Sequence, residues 1–114
     1  MPRAGLTPAA IVELSLSIVD SDGLGGLSLT AIAQRAGVAV PALYKHVRNL
    51  AELQQLVRLR IAEDFTQEVT AAVIGRSGED ALRALASAAR HYAARHPNRY
   101  ATTVVPAPET DPRL

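Results

Sequence analysis

The chain has 114 residues, 48% apolar and 20% charged, with one Phe, three Tyr and no Trp, so its apolar weight lies in aliphatic side chains. That length suits one compact domain, or a small domain with part of another, and the composition excludes intrinsic disorder. No cysteine is present, which excludes a disulfide frame or a thiolate metal site. With no apolar run of about 18 residues and no signal-peptide core, the expectation is a cytoplasmic protein without a membrane segment.

Taken in chain order, the pattern predicts helices throughout. Thr7 is placed as an N-cap with Pro8 at the first helical position, where a missing N–H costs nothing. Ile11, Leu14, Ile18 and Val19 repeat at helical spacing until Gly23, Gly25 and Gly26, so a first helix is predicted over Pro8 to Asp22. Ser28 caps a short second helix through Ala36, with Leu29, Ile32 and Ala33 on its buried face. Gly37 stands where a left-handed residue ends a helix, and Pro41 opens a third helix running from about Val40 to Val47. The three or four residues between the second and third helices force a steep crossing.

A much longer fourth helix follows, in which Leu53, Val57, Ile61, Phe65, Val69 and Val73 recur every four residues. Gly75 and Gly78 break it. Either Ser77 or Gly78 starts a fifth helix, with Glu79 and Asp80 well placed in its first turn. Leu82, Leu85, Ala89, Tyr92 and His96 step by three and four along its apolar face, and Pro97 is expected to stop it. Asn98 is the expected cap of a short sixth helix through Val105, and the proline-rich "PAPETDPRL" reads as a linker or frayed end.

The net charge of +1 is unevenly distributed. Between Ser28 and Arg60 five basic residues (Arg35, Lys45, Arg48, Arg58, Arg60) face one acid, Glu52, a local excess of +4. From Ile61 onward six arginines meet seven acids. The positive excess is either a solvated helix face or a surface for a polyanion.

Catalytic patterns are missing. His91 and His96 are five apart, about 500° around a helix, which does not bring both onto one metal. There is no HExxH, glycine-rich phosphate loop or GxSxG. Tyr92 and His96 share a helix face, better explained by packing against a neighbour. The chain is therefore read as a non-enzyme with no cofactor, and a small helical enzyme using His91, Tyr92 or His96 is a distant rival.

Two short helices joined by a tight glycine turn match the helix-turn-helix arrangement, whose second helix enters the DNA major groove. Leu43 and Val47, four apart, can face inward, leaving Pro41, Ala42 and Lys45 outward, with Tyr44 and His46 more oblique. Tyr44 and His46 can donate to phosphate oxygens, and Lys45 can reach either a guanine edge or a phosphate. Against this stands a plainer reading of Tyr44 as a core-edge residue and Lys45 as merely solvated.

The stretch "LSLTAIAQRAGVAVPALYKHVRNLAELQQLV" resembles the DNA-binding domain of the TetR (tetracycline-repressor-like) transcriptional regulators, over about Thr7 to Arg60. The likeness is specific in Ala33, Gly37, Val38, Pro41, Leu43, Tyr44, His46 and Leu53; further on it rests on helix pattern and "HPNRY". The resemblance implies that Thr30, Tyr44 and His46 touch the DNA backbone and that Val40, Pro41, Ala42 and Lys45 lie against base edges. Ala39 stands where many relatives carry a polar cap, and Leu50 where many carry a lysine, which removes one backbone contact; Arg48 and Asn49 are placed to substitute.

The expected protein is all-α. Residues 1–48 form a three-helix DNA-binding head, 49–105 the truncated start of a helical ligand-binding and dimerisation domain, and 106–114 a tail. The implied function is sequence-specific binding of a double-stranded operator as a repressor, homodimeric at full length and answering to a small-molecule effector. The alternative is a helical protein-interaction module without DNA binding.

Overall fold

The computed structural model describes residues 6–104. Its elements are α1 (Pro8–Asp22), a 3₁₀ turn (Leu24–Gly26), α2 (Leu29–Ala36), α3 (Val40–Leu43), α4 (Leu50–Val73), α5 (Gly78–Arg95) and α6 (Pro97–Val104). There is no strand among the described residues, so the all-α expectation holds. Val105 and the tail at 106–114 lie outside the described residues. Among the described residues, no helix is long and apolar enough to cross a membrane.

Local chemistry sets most helix ends. The Thr7 hydroxyl accepts from the Ala10 N–H at 3.0 Å, and the Ser28 hydroxyl from that of Ala31 at 3.0 Å. Gly37 takes φ 73°, ψ 31°, and the chain turns back on α2. There the Val38 N–H reaches the Ala33 carbonyl at 3.0 Å and the Gly37 N–H that of Gln34 at 3.3 Å. This pair of bonds defines a Schellman stop, which satisfies two carbonyls that α2 would otherwise leave open.

Two boundaries and one helix face differ from expectation. α3 is a single α-helical turn, Val40–Leu43, followed by a tighter turn over 44–46. Ala39 has no side chain to cap it, and the Tyr44 and His46 N–H groups bond three residues back, to Pro41 and Leu43 at 3.2 and 2.9 Å, in the 3₁₀ manner. Pro97 opens α6 directly, because its fixed φ and missing N–H suit a first helical position as well as they forbid an interior one. Asn98 is consequently inside α6 rather than its cap. On α5 Ala89, Tyr92 and His96 of the expected face are half-buried or buried, whereas Leu82 and Leu85 are 66% and 40% exposed and Ala81, Ala84 and Ala88 are half-buried in their stead.

One apolar core unites α1, α2, α3 and the first three turns of α4. Ile11, Leu16, Ile18, Val19, Ile32, Leu43, Leu53, Val57 and Ile61 are all buried in it. The short link after α4 folds α5 back as a hairpin, bridged by Arg76 to Asp80 near the link and Arg95 to Glu68 far from it. At its far end Phe65 meets Tyr92 edge-on, ring centroids 5.0 Å apart, and Tyr100 of α6 at 6.0 Å. Tyr92 also lies 5.2 Å from the His96 ring, so that pair does pack within the helical layer.

Candidate nucleic-acid interface

The turn at Gly37 delivers a segment split cleanly between inside and outside. Leu43 and Val47 are buried in the core, 0% and 2% exposed, as their spacing of four residues requires. Pro41, Tyr44, Lys45 and Arg48 are exposed, Tyr44 at 54%. Val40, Ala42 and His46 are half-buried, and Val40 packs against the core with one side. Thr30 is exposed in the first turn of α2. Tyr44 thus presents a phenol to solvent beside an ammonium and a guanidinium, groups that donate hydrogen bonds to anionic oxygen.

The local charge excess does not all belong to this surface. Arg60 is turned to α1, with Nη1 2.6 Å from Glu13 and Nε 3.1 Å from Asp64. The Glu13 hydrogen bond is the main reason its pKa is raised above the ordinary guanidinium value, against desolvation. Arg58 lines an open groove of about 600 Å³ between α4 and α6, together with Gln55, Leu59, Phe65, Tyr100 and Val104. The Arg35 guanidinium donates to Ser17 at 2.9 Å across to α1. Arg48 is left 3.7 Å from Glu52 with its side chain largely in solvent, and Lys45 has no ion-pair partner among the described residues. The cations next to α3 are therefore Lys45 and Arg48.

One anchoring device escaped the sequence reading although its signal was present. Asn49 caps α4, its side-chain oxygen accepting from the Glu52 N–H at 2.8 Å, while the Glu52 carboxylate accepts from the Arg48 N–H at 2.7 Å. The Asn49-x-x-Glu52 spacing is that of a capping box, with the return bond made to Arg48, one residue before the cap. It locks the exit from α3 onto α4, fixing the backbone that carries Lys45 and Arg48.

No family model matches the chain. Over 110 residues it is 37% identical to a protein named an uncharacterized HTH-type transcriptional regulator of Mycobacterium tuberculosis, covering 96% of this chain and 50% of that one. A regulator of the same description from Bacillus subtilis is 31% identical over 99 residues, 87% of this chain and 52% of its own length. The tetracycline repressor protein class A from transposon 1721, from Escherichia coli, is 35% identical over 102 residues, 81% of this chain and 47% of that repressor. The chain belongs to the TetR family.

The TetR-family chain spans about half the length of the curated relatives it matches. Within that half lie the glycine turn, the split α3 segment and the whole of α4. The names of these relatives are those of transcriptional regulators and a repressor.

Proposed function

We propose that the chain is the operator-reading part of a ligand-responsive transcriptional repressor that works as a homodimer in the cytoplasm. In this reading residues 1–48 are the reading head, and 49–105 begin the domain that holds the effector and the dimer interface. Thr30, Tyr44, His46 and Arg48 contact phosphates, while Val40, Pro41, Ala42 and Lys45 meet base edges. The observation that carries the reading is the division of the α3 segment, with Leu43 and Val47 in the core and Pro41, Tyr44, Lys45 and Arg48 in solvent. So short an element contributes little to a core beyond those two side chains, and its outer face is the part available to DNA.

Few hydrogen-bonding groups stand at the tip, so thymine methyl contacts and DNA shape supply much of the selectivity. The effector arm of the proposal is supported by the open groove between α4 and α6. The homodimer part of the proposal is supported by the size of one head, which covers only a few base pairs, whereas two heads about one DNA turn apart cover an operator.

The test is selection of bound sites from random double-stranded DNA, followed by affinity measured against salt. A palindromic consensus and a fall of about 0.9 log unit per phosphate contact for each tenfold rise in salt are expected. No enriched sequence and a flat salt response would instead favour the protein-interaction module.

A further inference from the structure

One carboxylate grips Arg48 at both ends. Glu52 Oε1 accepts from the Arg48 N–H at 2.7 Å, and Glu52 Oε2 lies 3.7 Å from the Arg48 guanidinium. The guanidinium is thereby drawn toward the first turn of α4, although the Arg48 side chain is 83% exposed and has solvent on its other sides. Glu52 is also the single acid in the stretch 28–60, which carries five basic residues. An acid has therefore been placed beside one of the two cations next to α3.

The helix cap does not require that charge. Glutamine serves at this place in a capping box as well as glutamate does, because its side-chain oxygen accepts the same hydrogen bond. Nor does the exposed ion pair contribute much to the fold, since pairs of this kind are worth little in solvent. Next to DNA the charge has a larger effect. A guanidinium shared with Glu52 is a cation already partly neutralised, and a phosphate that takes it over is brought close to the carboxylate, which repels it.

We propose that Glu52 is a positioning residue that holds the Arg48 side chain in reserve and so limits the affinity of the head for the DNA backbone, whatever the base sequence. The inference rests on the DNA-reading function proposed above. On binding, the phosphate competes with Glu52 Oε2 for the guanidinium while Oε1 stays on the Arg48 N–H, so the side chain moves and the start of α4 stays closed. The limit is the same at every site, because phosphates carry no sequence information. The head is then less readily held on DNA by charge alone.

Glu52→Gln in the full chain removes the charge and keeps the acceptor. Affinity is measured against salt on DNA selected with the parent and on a scrambled duplex, alongside Tm. Glu52→Gln should bind both duplexes about three- to fivefold more tightly. Its salt dependence should steepen by up to about 0.9 log unit per tenfold change in salt. Tm should fall by no more than about 6 °C, as the first turn of α4 loses a favourable charge. A purely structural role predicts the opposite sign, with affinity falling alongside Tm. Arg48→Ala should also cost about threefold more affinity in the Glu52→Gln chain than in the parent, because only there is the guanidinium released. Unchanged or weaker binding by a folded Glu52→Gln chain overturns the proposal, as does a gain confined to one duplex. An equal cost of Arg48→Ala in both backgrounds overturns the hold on Arg48. If Glu52→Gln fails to fold, Arg48→Ala in the parent decides: a slope lowered by well under 0.9 log unit supports the proposal, and a full 0.9 overturns it. Heparin, a polyanion without bases, separates this inference from the reading it rests on. A parent chain that selects no DNA, with Glu52→Gln leaving heparin at higher salt, sinks the regulator reading and leaves the role of Glu52 standing; equal elution sinks that role.

Discussion

Replacing Gly37 separates backbone conformation from crowding as the reason for glycine at the turn. Gly37 sits at φ 73°, and a Cβ added there meets no atom within 4 Å, so a side chain finds open space. The cost of substitution is then the left-handed backbone itself, about 1–2 kcal/mol for an ordinary L-residue, less for Asn and more for a β-branched one. Gly37→Ala should destabilise by about 1 kcal/mol, Gly37→Asn by less than half of that, and Gly37→Val by about 1 kcal/mol more than alanine. For a domain of this size 1 kcal/mol is about 4–8 °C in Tm, which thermal unfolding followed by circular dichroism resolves easily. The order expected is Gly, Asn, Ala, Val. Crowding would instead rank the variants by volume, placing Asn below Ala. That order, or three unchanged melting temperatures, would refute the account of the Schellman stop.

Three further outcomes are expected. Tyr44→Phe should weaken binding to every DNA sequence alike, by about tenfold, with little change in Tm; a loss confined to one base position, read from a selection profile, would contradict a phosphate contact. Asn49→Ala should cost about 1 kcal/mol by opening the α4 cap, with faster hydrogen exchange in the first turn of α4 as its signature. Tyr92 is buried, and its hydroxyl has no hydrogen-bond partner among the described residues; burial also raises its pKa above the ordinary 10.0. Tyr92→Phe should therefore be neutral or stabilising by up to about 1 kcal/mol at pH 7 in urea titrations. The raised folded-state pKa favours the neutral phenol, so the parent keeps its full stability below about pH 10 and loses it as pH climbs through the folded value, a loss the Phe variant escapes at this site.

The parts of the fold governed by near neighbours were legible in the sequence. Thr7, Ser28, Gly37 and Pro41 act within three or four residues of themselves, so the limits of α1 and α2 and the position of the turn follow from residue type. Pro97 shows the limit of that logic, because the same ring chemistry ends one helix and begins another, and only the following residues decide. On α5 two faces satisfy the three-and-four spacing. Ala89, Tyr92 and His96 lie on the covered side as the spacing has them, but in the first half of the helix Ala81 and Ala84 are half-buried and Leu82 and Leu85 exposed, which no count of hydrophobic residues reveals. The sorting of the basic cluster was also hidden. Arg60 is taken by Glu13, a residue far back in the chain, and Arg99 by Asp20 across a separation of 79 residues. The local solvent partition of α3 was readable from Leu43 and Val47, but the box at Asn49 and Glu52 was passed over despite standing in plain spacing.

Leu53, Val57 and Ile61 finish a core that begins with Ile11. Anyone wishing to graft this head onto another scaffold has to cut beyond Ile61, taking the opening of α4 along. A shorter excision would strip three aliphatic plugs from the underside of the turn and leave a molten remnant. The same continuity makes α4 a shared beam: a twist applied at its distal portion enters the head as a repacking of those three side chains rather than through a hinge of loose chain.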